Sequence, residues 1–314
     1  LRRDQVESGG VRYSLLESIR VYANYKLGDP GEMGPQLRGA EALVRAQQRH
    51  AAHYSQLGTP HALRVLDGFD SDGGWEVLFS ELDNLVEAIG YGTAKSAPLC
   101  CLAALRVLAM KGPLSLGLDI ATQVLQMTGM SEQTRMMVEI QHSKCLRISG
   151  RPAEARAIVG TTSMPPLENE AGPLRLASNG SAEDAETLIF ARPFGKNAGA
   201  ASFSGALGDD VLDDNHDREL ALIEAERLLE LGRIEAHQSH YDKALQCIER
   251  SLQIFRSQGS RSGEGKALAN LANRYREIAQ YESAVECYVL AIGIAREIGN
   301  KRSEGSCLGN LGLI

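Results

Sequence analysis

In the run DDNHDRELALIE, Asp213, Asn215 and Asp217 alternate, Leu220 takes an apolar place and Glu224 stands twelfth, as the ligands of a calcium loop would. The sixth position is Arg218, where the sharp turn of such a loop needs glycine. From Arg218 the sequence reads as one helix, for which Asp217 or its neighbours would serve as cap and dipole partner. No metal site is expected here. The pairs His50/His53 and His237/His240 are each three residues apart and could share a metal, but neither has a cysteine or a suitably placed carboxylate to complete a site. They read as histidines on polar helix faces. No serine sits in a GxSxG elbow, and no carboxylate pair is placed for hydrolysis. The Gly-Lys pair of GEGKA has Ser260 where a phosphate cradle needs its first glycine, so there is no P-loop. Catalysis and cofactor binding are not expected of this chain.

Bulk properties narrow the classes further. The net charge of −7 argues against a broad nucleic-acid surface. Arg2, Arg3 and Arg12 cluster around a hairpin signal, but no recognition helix accompanies them, which argues against direct DNA binding. No apolar run could span a bilayer and no basic start leads into an apolar segment, so the expectation is a soluble cytoplasmic chain without a membrane partner. The six cysteines (100, 101, 145, 247, 287, 307) contain no CxxC pair and read as buried reduced thiols. Aromatic residues make up only 5%, which favours helices packed through small residues.

The elements follow from periodicity. LRRDQVESGGVRYSLL alternates around Ser-Gly-Gly, a hairpin signal. Ile19, Tyr22, Ala23 and Leu27 then form a helical face that Gly28 and Pro30 end. Trp75, Leu78, Leu82, Leu85 and Ile89 make another stripe, with Trp75 as its core anchor. From Ala97 the pattern is helix pairs broken at KGP and GRP. Residues 160–217 lose periodicity and read as a linker or lid, with one short helix near 181–191. Beyond them a strict repeat appears: Glu264 and Glu304, Leu268 and Leu308, Asn270 and Asn310, and Tyr241 and Tyr281 each stand 40 residues apart. A fixed period of this size marks a solenoid of stacked units.

Two resemblances attach to these residues. RYSLLESIRVYANYKL, RAQQRHAAHYSQLG and ELDNLVEAI, in that order over residues 1–90, resemble the segment joining the nucleotide-binding module of bacterial STAND-class signal-transduction ATPases to their repeat-containing sensor half. That implies that the hairpin is the wing of a winged-helix subdomain and that the ATP site lies upstream. The 40-residue unit resembles the tetratricopeptide (TPR) repeat in a long variant, with Leu268, Leu271, Ala272, Tyr275, Ala284, Tyr288 and Ala291 at that family's packing intervals. Leu228, Leu231, Gly232, Ala244, Ile248 and Ser251 hold the same places one unit earlier, where Glu235 replaces the expected tyrosine and implies a weaker unit. In TPR arrays the first helix of each unit lines a concave surface. The resemblance places Arg233 and Asn273 on it, and helical spacing adds Lys266, Arg276 and His237. An asparagine there can hold a peptide amide, and the cations can take carboxylates. Asn270 and Asn310 fit either ligand contact or bonding between units.

The expected fold is all-α: a TPR-like right-handed α-α superhelix with a small N-terminal winged-helix β-hairpin remnant. Its expected parts are 1–27 (wing and helix), 28–93 (helical linker), 94–160 (degenerate TPR-like hairpins), 161–217 (irregular insertion) and 218–314 (repeats, the last one truncated and leaving an apolar flank exposed). The expected function is non-catalytic. A protein or peptide ligand in the groove would regulate an upstream nucleotide-binding module of the same parent chain, in signal transduction and transcriptional control. A constitutive adaptor, or the non-catalytic part of a larger kinase or cyclase, are the other readings.

Overall fold

The computed structural model describes residues 2–5, 11–14, 21, 25–27, 39–67, 72–160 and 209–314. Two short strands, β1 (Arg2–Gln5) and β2 (Val11–Ser14), pair antiparallel with Arg2 opposite Ser14 and Gln5 opposite Val11. The Ser-Gly-Gly turn between them lies outside the described residues, as do most of the expected helix over 17–27 and the short helix near 181–191. The other elements among the described residues are helices, and the fold is all-α and TPR-like.

The chain divides into two compact units. The first holds the hairpin, α1 (Ala40–Ser55), α3 (Asp72–Ser80), α4 (Leu82–Tyr91), α5 (Ser96–Lys111) and α6 (Leu114–Leu125); α2 (Pro60–Asp67) straddles the division. Helix α5 is apolar nearly all round and accordingly buried from Ala97 through Leu108 at most positions, with α1, α4 and α6 packed against it. The stripe expected from Trp75 to Ile89 is not one helix. It breaks at Glu81, whose carboxylate accepts from the Tyr54 hydroxyl at 3.1 Å and from Asn84 Nδ2 at 2.5 Å. Leu78, Leu85 and Ile89 are buried, but Trp75 is only half-buried, its ring against Phe79. The core anchor expected at Trp75 is therefore corrected: among the described residues of α3, Leu78 is the buried one.

The second unit is a stack of helical hairpins: α7 (Glu132–Ile148) with α8 (Pro152–Val159), α9 (Asp209–His237) with α10 (Tyr241–Ser257), α11 (Arg261–Glu277) with α12 (Tyr281–Glu297), and then α13 (Lys301–Leu311). Turns recur every 20 residues, each with one residue in the left-handed region: Ser239, Gly259, Ala279 and Gly299, at φ of 61–69°. In each, the next N–H bonds back five residues, as from His240 to Glu235 O and from Ser260 to Phe255 O, which satisfies carbonyls that a helix end leaves open. Ser260 and Asn300, one period apart, then cap the following helices by accepting from Gly263 N and Ser303 N. The core runs through Leu252, Phe255, Leu268, Leu271, Ala272, Ala284, Tyr288 and Ala291.

Helix α9 begins at Asp209, nine residues before the expected boundary at Arg218. Residues 209–217 thus belong to the helix rather than to the irregular insertion, and Asp217 lies inside it and does not cap it. The physical reason is the charge of the first turns. Asp209, Asp210, Asp213 and Asp214 are the residues that a helix N-terminus favours electrostatically. Because 213–224 is helical throughout, its backbone does not form a calcium loop.

Candidate functional site

Adjacent first helices of the stack are joined by side-chain bonds that repeat from one junction to the next. Asn310 Nδ2 on α13 donates to Asn273 Oδ1 on α11 at 3.2 Å. One unit earlier Arg233 Nε on α9 donates to Asn270 Oδ1 on α11 at 3.0 Å. One junction further back, Arg147 on α7 donates to Glu230 on α9 through Nε at 2.6 Å and Nη2 at 3.4 Å. Glu230, Asn270 and Asn310 occupy the same place in successive units, and so do Arg233 and Asn273. Glu230 is almost fully buried and also receives Arg233 Nη1 at 3.3 Å, so two arginines neutralise it.

A groove opens beside these rungs between α11 and α13, with α12 as its floor. Its polar lining includes Arg233, Lys266, Asn270 and Asn273, while Ala291, Ile294 and Ala295 belong to its apolar floor. Lys266 Nζ reaches Glu226 on α9 at 3.2 Å, exactly one period earlier in sequence. The Asn273 oxygen accepts twice, from Asn310 and from the Tyr288 hydroxyl at 2.6 Å, which fixes its amide plane. Of the five residues placed on the concave face by sequence, the structure brings Arg233, Lys266 and Asn273 to this groove. His237 and Arg276 are not in its lining. His237 is exposed among Arg147, Arg274, Glu230 and Glu277, and its pKa is lowered, first by partial burial and then by the two arginines. Arg276 lies against the Tyr288 hydroxyl, with its Nε buried and unbonded. The reason is rotation: the position corresponding to Arg276 one unit earlier is the buried Ala236, so this face turns inward.

The packing positions need less comment. Leu268, Leu271, Ala272, Ala284, Tyr288 and Ala291 are buried, and Tyr275 is partly buried with its hydroxyl donating to Glu249 at 3.3 Å. Burial first, and then the Glu249 charge, push the Tyr275 hydroxyl up to about 12. Glu235, read from sequence as a weak point, is a buried junction residue. Its carboxylate accepts from Arg156 Nε on α8 at 2.5 Å and from His240 Nδ1 at 2.8 Å. Burial pulls its pKa up, yet these two bonds outweigh burial and hold it below the ordinary value. Arg227, also buried, donates Nη1 to Val159 O at the end of α8 at 2.7 Å. These ties and the Arg147–Glu230 rung seat the hairpin 131–159 on α9 although 161–208 separates them in sequence. His240 is thus a structural ligand of Glu235, while His50 bonds the Tyr91 hydroxyl at 2.5 Å.

Sequence reasoning missed Arg147 and Glu230. Glu230 could have been found from the period, since it stands 40 residues before Asn270. Arg147 could not, because the period is interrupted between α8 and α9: the left-handed turn residue Gly150 stands 89 residues before its counterpart Ser239. All six cysteines are buried free thiols, and burial pushes Cys287 and Cys100 up to about 12.

Paired helices, a left-handed residue every 20 positions and rungs repeating at 40 define a helical-hairpin repeat protein. Residues 224–297 match the family model of the tetratricopeptide repeat. No curated protein matches the chain. Among the described residues no helix is long and apolar enough to cross a membrane.

Proposed function

We propose that the stack from α7 to α13 is a non-catalytic scaffold that takes a protein or peptide segment in the groove between α11 and α13. Tetratricopeptide repeats suggest a role in protein–protein interaction. The observation that carries the reading is the fixed Asn273 amide beside Arg233 and Lys266, over a floor of small apolar side chains. Such a surface offers oriented hydrogen-bond donors and lets a backbone approach closely.

The resemblance of residues 1–90 to the joining segment of STAND-class ATPases extends the proposal. In a longer parent chain, occupancy of the groove would be relayed to an upstream nucleotide-binding module, and the protein would act in signal transduction in the cytoplasm. Such a relay requires that the ligand bind two states of the stack with different affinity. The test is capture of partners by the full chain, comparing wild type with Lys266→Glu plus Asn273→Ala and with Tyr281→Ala outside the groove. Loss of a partner only in the double variant, with helicity retained by circular dichroism, is the expected result. Unchanged recovery refutes the groove as the site.

A further inference from the structure

In the first unit, helix α1 is held in two different ways. Toward α5 it packs through Ala51, which is fully buried and whose carbonyl accepts from the Cys100 thiol at 3.7 Å. Toward α4 it presents His50 and Tyr54, and α4 with its cap residue Glu81 answers with Glu81, Asn84, Glu87 and Tyr91, which helical spacing puts on one face. All six of these side chains are half-buried. The α1–α4 seam is therefore polar.

Its hydrogen bonds form one chain. The Tyr91 hydroxyl meets His50 Nδ1 at 2.5 Å, and the ring also bonds Asn84. Asn84 uses its NH2 group on Glu81, at 2.5 Å, which leaves its oxygen to accept from the ring. The network thus assigns the tautomer: His50 carries its proton on Nε2 and accepts from Tyr91 at Nδ1. Glu81 ends the chain by accepting from the Tyr54 hydroxyl at 3.1 Å.

This chain suits a neutral ring. Burial, the largest influence, and His53 disfavour the imidazolium, while Glu87, Asn84 and Glu81 favour it, and the balance holds His50 below its ordinary 6.5. The α5 side brings the Cys100 thiol, which burial holds up at about 12 and so uncharged, and the 3-10 turn Gln56–Gly58 has no titratable side chain. A proton on Nδ1 obliges the Tyr91 hydroxyl to turn and accept, and it sets a positive charge facing Glu81 and Glu87. Glu81 is also the residue at which α3 stops and α4 starts. Helix α3 carries Trp75, the chain's one tryptophan, with its ring 5.7 Å from that of Phe79.

We infer that His50 is a proton-operated switch in the α1–α4 seam: when the ring takes a second proton, the chain reverses at Tyr91, Glu81 is drawn toward the ring, and α3 turns at its break with α4. The folded ring holds that proton less tightly than the unfolded one. The neutral seam is therefore fully stabilising above about pH 6.5, and its contribution falls as pH drops from there through the folded value.

The experiment follows the full chain between about pH 7.5 and about pH 5 by nitrogen NMR of labelled histidines and by Trp75 emission. The His50 signal is identified by its loss in His50→Gln. Expected are an Nε2–H tautomer at the upper end, a His50 midpoint below 6.5, and a change in Trp75 emission with that same midpoint that is lost in His50→Gln. Tyr91→Phe, which removes the donor to the neutral ring, should move both midpoints to higher pH. Glu87→Gln should move them lower. Circular dichroism checks that each variant stays helical, and if His50→Gln does not fold, the joint shift of both midpoints in Tyr91→Phe and Glu87→Gln decides. An Nδ1–H tautomer, or a His50 midpoint at or above 6.5, overturns the chain of bonds. Trp75 emission that stays flat while His50 titrates, or that titrates unchanged in a folded His50→Gln, overturns the coupling to α3. Midpoints that ignore both Tyr91→Phe and Glu87→Gln overturn the switch.

Discussion

Replacing Glu235 tests whether the hairpin 131–159 is held on α9 by charge. The side chain is 3% exposed, while its partners Arg156 and His240 are about half-exposed. Removing a buried acceptor costs most when its donors stay buried, but here both donors can turn to water. One charge-assisted bond across the junction, to Arg156, and one to His240 in the turn after α9, both discounted for that exposure, predict that Glu235→Ala lowers stability by about 2 kcal/mol in all, about half of it at the α8–α9 junction, below the ~3–5 kcal/mol of a fully buried pair. Glu235→Gln, which keeps the shape and one acceptor, should cost about 1 kcal/mol. The pH dependence has a definite sign. The folded pKa of Glu235 is held below its unfolded value, so its contribution is present above about pH 4.3 and is lost as pH falls through the folded value. Glu235→Gln should lack that acid-sensitive part. Hydrogen exchange with residue-level readout is the assay, because it separates opening of α8 from opening of the later hairpins. Faster exchange should appear in 152–159 and leave 261–297 unchanged. Wild-type exchange in 152–159, or a loss placed first in α11 and α12, would refute the reasoning.

Two further predictions concern backbone and packing. At Gly232 an added Cβ would sit 2.6 Å from Ile248 Cγ1 and 3.0 Å from Ala244 O, so Gly232→Ala should lower stability by about 1–3 kcal/mol in urea unfolding despite alanine's better helix propensity. Ala279 holds a left-handed conformation at φ 61° with no glycine to ease it. Ala279→Gly should stabilise by up to about 1 kcal/mol, and Gly259→Ala, at φ 64°, should destabilise by about 1 kcal/mol, both read from the urea midpoint.

Much of the stack was legible because it repeats. Leu268, Leu271, Ala272 and Tyr288 stand at the packing intervals of the resembled repeat and are buried, since a helix pair that stacks on copies of itself must return the same residue types to the same depth. The groove was only partly legible, since spacing gives a face but not its exact rotation: Lys266 and Asn273 line the groove, while Arg276, three residues beyond Asn273, packs on Tyr288. Glu235 was misread because a residue was compared with its counterpart Tyr275 rather than with its partner. Arg156 lies 79 residues away across an interrupted period, and nothing local in either sequence announces the pair. The start of α9 was misplaced because a dense aspartate run reads as loop by composition, whereas at a helix N-terminus the same charges favour the helix.

The junctions of the stack differ in what holds them, and this bears on how a ligand could act through it. From α10 to α13 the helices are joined by short turns and by a continuous apolar core through Leu252, Phe255, Leu268 and Tyr288, so opening one of these junctions exposes apolar surface to water. Between α8 and α9 no short turn restricts the two sides, and buried polar ties supplement the apolar contact: Arg147 to Glu230, Arg156 to Glu235 and Arg227 to Val159 O. Polar ties of this sort demand their geometry, since a carboxylate moved slightly from its arginine is a buried charge without compensation. Glu230 is the point where the two systems meet, because it bonds Arg147 of the hairpin and Arg233 of the groove. A ligand that draws Arg233 away from Glu230 changes the balance of charge at the hairpin junction without touching the hairpin. The path from groove to α7 is therefore two bonds long, and its middle member is a carboxylate that cannot be left half-satisfied.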